Sequence, residues 1–293
     1  MNDNDLSWKI ARVAIPIAVY CLVSLVVQAG VYTFFLGKDV IGTSTGSVAD
    51  GYGFLDDMSA VASKYALLCT LISALIMIPV LLYMMYKDDL HKQIKPVNFK
   101  GYWIIAGLGV FGALGVSRFI LLFPLDNILG SYSDAAGNIL NAPIALQIFA
   151  VVFTVPVMEE MLFRGVVYNR IKGYNDKMVA AVISAIIFGV YHMNLAQGLY
   201  AFILGIILAA VYEQYKSILA PMFLHIVANF AVFISGHNKV SSFIDSHFWV
   251  RLPVALAEVG IFAVFTAIFI SNIGKDREDK KEQNKEHKLD KEL

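Results

Sequence analysis

The 293-residue chain is 58% hydrophobic, with a mean hydropathy of +0.66 and no formal net charge. So many long apolar runs exclude an ordinary soluble domain, and nothing in the charge balance calls for nucleic acid. Cys21 and Cys69 both fall within apolar runs, so neither a disulfide framework nor a cysteine metal site is expected.

An all-α, polytopic membrane bundle of about eight transmembrane helices is expected. The spans cover roughly 12–36, 62–86, 101–123, 144–168, 178–195, 198–215, 219–236 and 252–273. The first follows Lys9 and Arg12 and is too long for a signal-peptide core, so it reads as an uncleaved span. The polar loop after it holds a single cation, Lys38, whereas the next connection carries Lys87, Lys92, Lys95 and Lys100. Residues 124–141 contain no Lys or Arg, and Arg170, Lys172 and Lys177 follow the fourth span. The positive-inside rule puts both termini and these two basic connections in the cytoplasm, with Lys239 and Arg251 as exceptions. A cell (plasma) membrane location is expected. Gly107, Gly109, Gly112 and Gly115 suit close packing of the third span. The tail from Lys275 alternates cations with carboxylates and reads as a solvated segment, either disordered or a frayed extension of the last helix. No internal repeat is evident. The organisation is therefore 1–143 with three spans, 144–236 with the next four, 237–274 with the last, and a charged cytoplasmic tail over 275–293.

The fourth span holds the outlying chemistry: Glu159, Glu160 and Arg164 lie in a run that is otherwise apolar. Each charge at the centre of a span costs roughly 2.5–3.5 kcal/mol, so three together cost about 9 kcal/mol and nearly cancel the apolar gain. Residues tolerated at that cost face a protein interior or a watery cavity and mark a functional site. Glu160 and Arg164 are i,i+4 and share a helix face, whereas Glu159 points about 100° from Glu160 and about 140° from Arg164. One reading is a buried ion cluster that fixes packing. The geometry favours a split, with Glu160 braced by Arg164 and Glu159 left for general-base work.

Four of the six histidines, His91, His237, His247 and His287, sit in loops, near span ends or in the tail. The other two are intramembrane: His192, one turn after Phe188, and His225, one turn before Asn229. Glu159, His192 and His225 lie roughly 10–20 Å from the cytoplasmic helix ends, so they can converge within the bilayer on a site open inward. Two chemistries suit them. His192 and His225 can join a carboxylate in holding a divalent metal, zinc first, with an open position for water. Alternatively Glu159 activates a water itself while the histidines and Asn229 polarise it and stabilise an oxyanion. No His-Glu-x-x-His helix is present to decide between them.

Glu159-Glu160-x-x-x-Arg164, Phe188-x-x-x-His192 and His225-x-x-x-Asn229, in that order on successive spans, resemble the CPBP family. That family comprises CAAX-type prenyl-protein endoproteases and bacteriocin-immunity-related (Abi) membrane proteases. The resemblance covers about residues 144–236. It implies a membrane metalloendopeptidase with Glu159, His192, His225 and Asn229 catalytic and Glu160 and Arg164 in support. It also implies a membrane-associated protein or peptide as substrate and the lipid bilayer as partner. Two other readings survive at this stage: a non-proteolytic immunity or scaffold protein, and a proton- or cation-coupled transporter in which Glu and His form a relay.

Gly42-Thr43-Ser44-Thr45-Gly46 matches a nucleophile-elbow pattern but sits in a polar loop rather than between a strand and a helix. Arg118 is expected to snorkel to the surface, Glu213 to be solvated at a helix end, and Glu258 to be structural. Tyr191 and Asn194 flank His192 and are candidates for support around it.

Overall fold

The computed structural model describes residues 5–42, 51–90, 101–123, 139 and 142–292, with side chains described over 5–35, 59–90, 101–123, 139 and 142–274. Residues 43–46 of the Ser-containing pattern, the side chain of Lys38, the cations Lys92, Lys95 and Lys100, and residues 124–138 lie outside what is described. Among the described residues there are helices and no strand. They are α1 (Leu6–Gly42), α2 (Gly51–Lys87), α3 (Tyr102–Ile120), α4 (Ile144–Lys172), α5 (Lys177–Tyr191), α6 (Leu195–Tyr215), α7 (Leu219–Gly236), α8 (Lys239–Ser246) and α9 (Phe248–Glu292). Seven of these, all but α5 and α8, contain a stretch long and apolar enough to cross a membrane. The chain is an all-α polytopic membrane bundle.

The fifth expected span, 178–195, is present as α5, but it has only 15 residues. At 1.5 Å per residue it is about 22 Å long and ends short of the far side of a hydrocarbon core roughly 30 Å thick. The expectation ran the helix on to 195. Instead the chain turns at Met193, whose φ is +54°, and Asn194 caps α6 by accepting a hydrogen bond from the Gln197 N–H at 3.1 Å. The hairpin closes tightly: a Cβ on Gly198 would stand 2.8 Å from the Gly189 carbonyl oxygen. At the other end of α5, Asp176 accepts from the Met178 and Val179 N–H groups at 2.8 and 3.0 Å. His192 therefore sits, half-buried, at the tip of a short hairpin.

The helix α4 is among the most enclosed, whereas α1 and α9 present most of their apolar surface outward. It is not a uniform α-helix. Ile148–Thr154 and Met161–Tyr168 are π-helical, and they flank the α-helical turn Val155–Glu160 that carries both glutamates. Pro156 accounts for the first widening. A proline ring inside a helix clashes with the carbonyl four residues back, and an i→i−5 turn moves that carbonyl away. In the wide ladder the Val155 N–H reaches Ala150 O. The next acceptor, Val151 O, meets Pro156, which has no N–H to give.

Polar side chains gather at the two ends of the bundle. At one end Asp88 receives Arg12 at 3.0 Å and Arg170 at 2.6 Å, while Glu213 takes Lys172, Lys177 (3.1 Å) and Lys216 (2.5 Å). Glu213 is thus ringed by lysines rather than simply solvated. At the other end Arg118 does not snorkel. It is 5% exposed, and its guanidinium donates to Asp245 (2.9 Å), to Glu258 and to the Ser235 and Ser241 hydroxyls at 3.2 and 3.0 Å. Two carboxylates supplied by α8 and α9 make burial of the cation tolerable. Glycines let α3 approach its neighbours: a Cβ on Gly109 would meet Leu224 O of α7 at 2.9 Å, and one on Gly115 would meet Val259 N of α9 at 2.9 Å. The helix α9 runs on without a break to Glu292, so the charged tail continues the last span as helical backbone.

Candidate active site

The middle of α4 delivers Glu159, Glu160 and Arg164 to the centre of the bundle, where they are 5%, 0% and 0% exposed. The i,i+4 pairing forms, with Arg164 Nη1 donating to Glu160 Oε1 at 2.8 Å. Arg164 Nη2 also donates to the Gly205 carbonyl of α6 at 3.1 Å, and its guanidinium stacks on the Phe188 ring at 4.8 Å from the ring centre. The arginine is therefore held from three sides. Glu160 is satisfied on one oxygen only, since Oε2 has no partner.

His225, 4% exposed on α7, joins the two glutamates. Its Nδ1 lies 2.8 Å from Glu160 Oε1, and its Nε2 lies 3.7 Å from Glu159 Oε2. An ionised Glu160 only accepts, so the imidazole donates from Nδ1 and leaves the Nε2 lone pair directed at Glu159. Glu159 itself makes no hydrogen bond to a described residue. At 3.7 Å the two atoms are too far apart for a direct hydrogen bond.

His192 has the same polarity. Its Nδ1 lies 2.8 Å from the Phe188 carbonyl, an obligate acceptor, so Nδ1 donates and Nε2 is left free. Phe188, 1% exposed, stands between the histidines, its ring 4.8 Å from that of His192 and 6.0 Å from that of His225. Asn229 reaches across from α7 to α4 and donates to Val151 O at 2.8 Å. It thereby satisfies the carbonyl that Pro156 leaves without a donor, and a second amide proton stays available. The structure thus gathers Glu159, Glu160, Arg164, Phe188 and His225 directly, sets His192 against Phe188, and ties Asn229 to the π-helical wall.

As placed, these side chains do not form a zinc-type ligand set. Glu159 and His225 offer a facing pair, but among the described residues no three His, Cys, Asp or Glu gather as metal donors. The chemistry below is carried by side chains alone.

Sequence reasoning missed the Pro156–Val151–Asn229 link and the Gly205 carbonyl on Arg164. Pro156 inside an apolar run was the available signal for the first. Nothing local encodes the second.

Residues 141–231 match the family described as type II CAAX prenyl endopeptidase Rce1-like. All seven motif residues lie inside the match. Over that segment the chain is similar to the CPBP family, and the likeness supports a membrane peptidase at family level. The chain is 25% identical over 178 residues to the Bacillus subtilis (strain 168) protein named "Putative membrane peptidase YdiL", covering 59% of this chain and 72% of that one. No solved structure matches the chain.

Proposed function

We propose that the protein is an intramembrane endopeptidase in which Glu159 activates water at a site open toward the cytoplasm. The observation that supports this most is the facing pair of Glu159 Oε2 and His225 Nε2, with His225 oriented from behind by Glu160. A water bound beside both atoms donates one hydrogen to each and directs a lone pair outward. Glu159 takes the proton as the water oxygen adds to a substrate carbonyl, and the resulting oxyanion is met by the free amide proton of Asn229. On collapse the C–N bond breaks, and the proton held by Glu159 passes to the leaving nitrogen. One water is consumed and the carboxylate is restored. His192 Nε2 is a second acceptor for orienting the water.

Depth within the bundle favours peptides that are lipid-anchored or membrane-embedded near the cleaved bond. The cations at the Lys172 end of α4 support a cytoplasmic opening. The deciding experiment compares protein termini in membranes of cells carrying wild type, Glu159→Ala or His225→Ala at equal abundance. Termini present with wild type and lost in both variants are the expected result. Identical termini in all three would overturn the reading and leave a scaffold or immunity role. An ion or pH gradient moved by the reconstituted protein would favour a transporter.

A further inference from the structure

Just past the glutamates, three successive carbonyls of α4 each accept a hydrogen bond from a side chain. Phe163 O takes the buried Ser184 hydroxyl of α5 at 3.3 Å, and Arg164 O and Gly165 O take the Asn169 amide at 2.7 and 3.1 Å. All three carbonyls lie in the π-helical stretch Met161–Tyr168. Two carbonyl acceptors require the amide nitrogen to face them, so the orientation of the Asn169 side chain is fixed. The hydroxyl of the buried Tyr212 of α6 bonds the same amide from another helix, 2.8 Å from Nδ2 and 3.2 Å from Oδ1. In an α-helix Gly165 O would receive the Asn169 backbone N–H, and in a π-helix Arg164 O would. That N–H goes to Val166 O instead, and the side chain of the same residue stands in for it. The stretch held this way carries Arg164, whose Nη1 meets Glu160 Oε1 at 2.8 Å. The same Glu160 oxygen orients His225 Nδ1 at 2.8 Å.

We propose that Asn169, backed by Tyr212, is a positioning residue for the candidate active site. It holds the wide turn that aims Arg164, and through Arg164 and Glu160 it fixes the tautomer and direction of the His225 ring. Its consequence for cleavage rests on the peptidase reading above and deepens it. An amide suits the task because its two protons serve two adjacent carbonyls without adding a charge to the bundle. Without it the turn is free to settle toward the α form, which rotates Arg164 away from its place between Glu160 and Gly205 O.

The test uses the full-length protein in proteoliposomes, with two readouts taken well below the unfolding midpoint of each variant. The first is solid-state NMR of 15N-histidine-labelled protein, His225 being the signal missing from His225→Gln. Wild type is expected to show His225 protonated on Nδ1, and Asn169→Leu to show an added Nε2–H population. The second is cleavage of a fluorogenic, lipid-anchored peptide spanning a terminus that depends on Glu159. Asn169→Leu is expected to lower kcat about 30-fold with KM changed less than about threefold. Tyr212→Phe is expected to lower kcat about threefold, and the double variant to be no worse than Asn169→Leu alone, as for a residue that acts through another. A His225 signal unchanged in Asn169→Leu would overturn the inference, whether kcat is retained or lost. Should Asn169→Leu fail to fold, Tyr212→Phe decides on the same two readouts, and wild-type behaviour in both would overturn it. If no terminus depends on Glu159, the peptidase reading fails, while the NMR arm still decides whether Asn169 sets His225.

Discussion

Replacing Arg164 by methionine removes a guanidinium that is 0% exposed and retains most of the side-chain volume. It deletes the 2.8 Å ion pair with Glu160, the 3.1 Å hydrogen bond to Gly205 O and the stacking on Phe188. Glu160, itself 0% exposed, is then a buried carboxylate whose remaining partner is His225 at 2.8 Å. Removing one member of a buried pair typically costs about 3–5 kcal/mol, because the other charge stays behind. That is roughly two to nearly four powers of ten in the folding equilibrium. Adding Glu160→Gln removes the orphaned charge, while the amide oxygen can still accept from His225 Nδ1. The double variant should therefore recover about half of the loss or more. Unfolding by SDS in mixed micelles, followed by circular dichroism and tryptophan fluorescence, measures both. The reasoning fails if Arg164→Met lies within about 1 kcal/mol of wild type, or if the double variant is as unstable as the single.

Glu159→Gln should leave the unfolding midpoint unchanged and abolish wild-type-dependent termini; retained cleavage would remove Glu159 as the base. Asn229→Ala leaves Val151 O without a donor and should cost about 1–3 kcal/mol in the same SDS titration. Pro156→Ala supplies a backbone N–H for that carbonyl, so the double Pro156→Ala/Asn229→Ala should regain stability without regaining activity. Gly198→Ala forces a Cβ to within 2.8 Å of Gly189 O. It should destabilise by about 1–3 kcal/mol and be read as a lower melting temperature. Dialysis against EDTA should leave kcat within about twofold, since three metal donors do not gather; restoration of a lost activity by zinc would show that the side chains regroup around a metal.

The fold class and the Glu160–Arg164 pairing were legible because both are local. Apolar runs report spans, and a spacing of four reports a shared helix face. The motif residues were found because charged and imidazole groups are costly in an apolar run, so each stands out. What was not legible depended on partners distant in sequence. Arg118 was misjudged because its carboxylates come from positions 245 and 258, which local pattern cannot connect to it. The length of α5 was misjudged because Tyr191 to Leu195 is mostly apolar, and hydropathy does not register that Asn194 turns inward to cap the next helix. The π-helical turns leave no mark on hydrophobic composition at all; Pro156 was their one local sign.

Those turns make the aim of Glu159 a matter of counting. A π turn accommodates more residues than an α turn over the same rise, so the number of residues in Ile148–Thr154, and not only their identity, sets which way the carboxylate faces. Deleting any one of them would leave a rod still apolar and long enough to enter the bilayer. The glutamates would nevertheless rotate relative to the preceding turns. A single-codon deletion there should therefore separate insertion from cleavage: a protein delivered to the membrane at normal abundance, with its base turned away from His225.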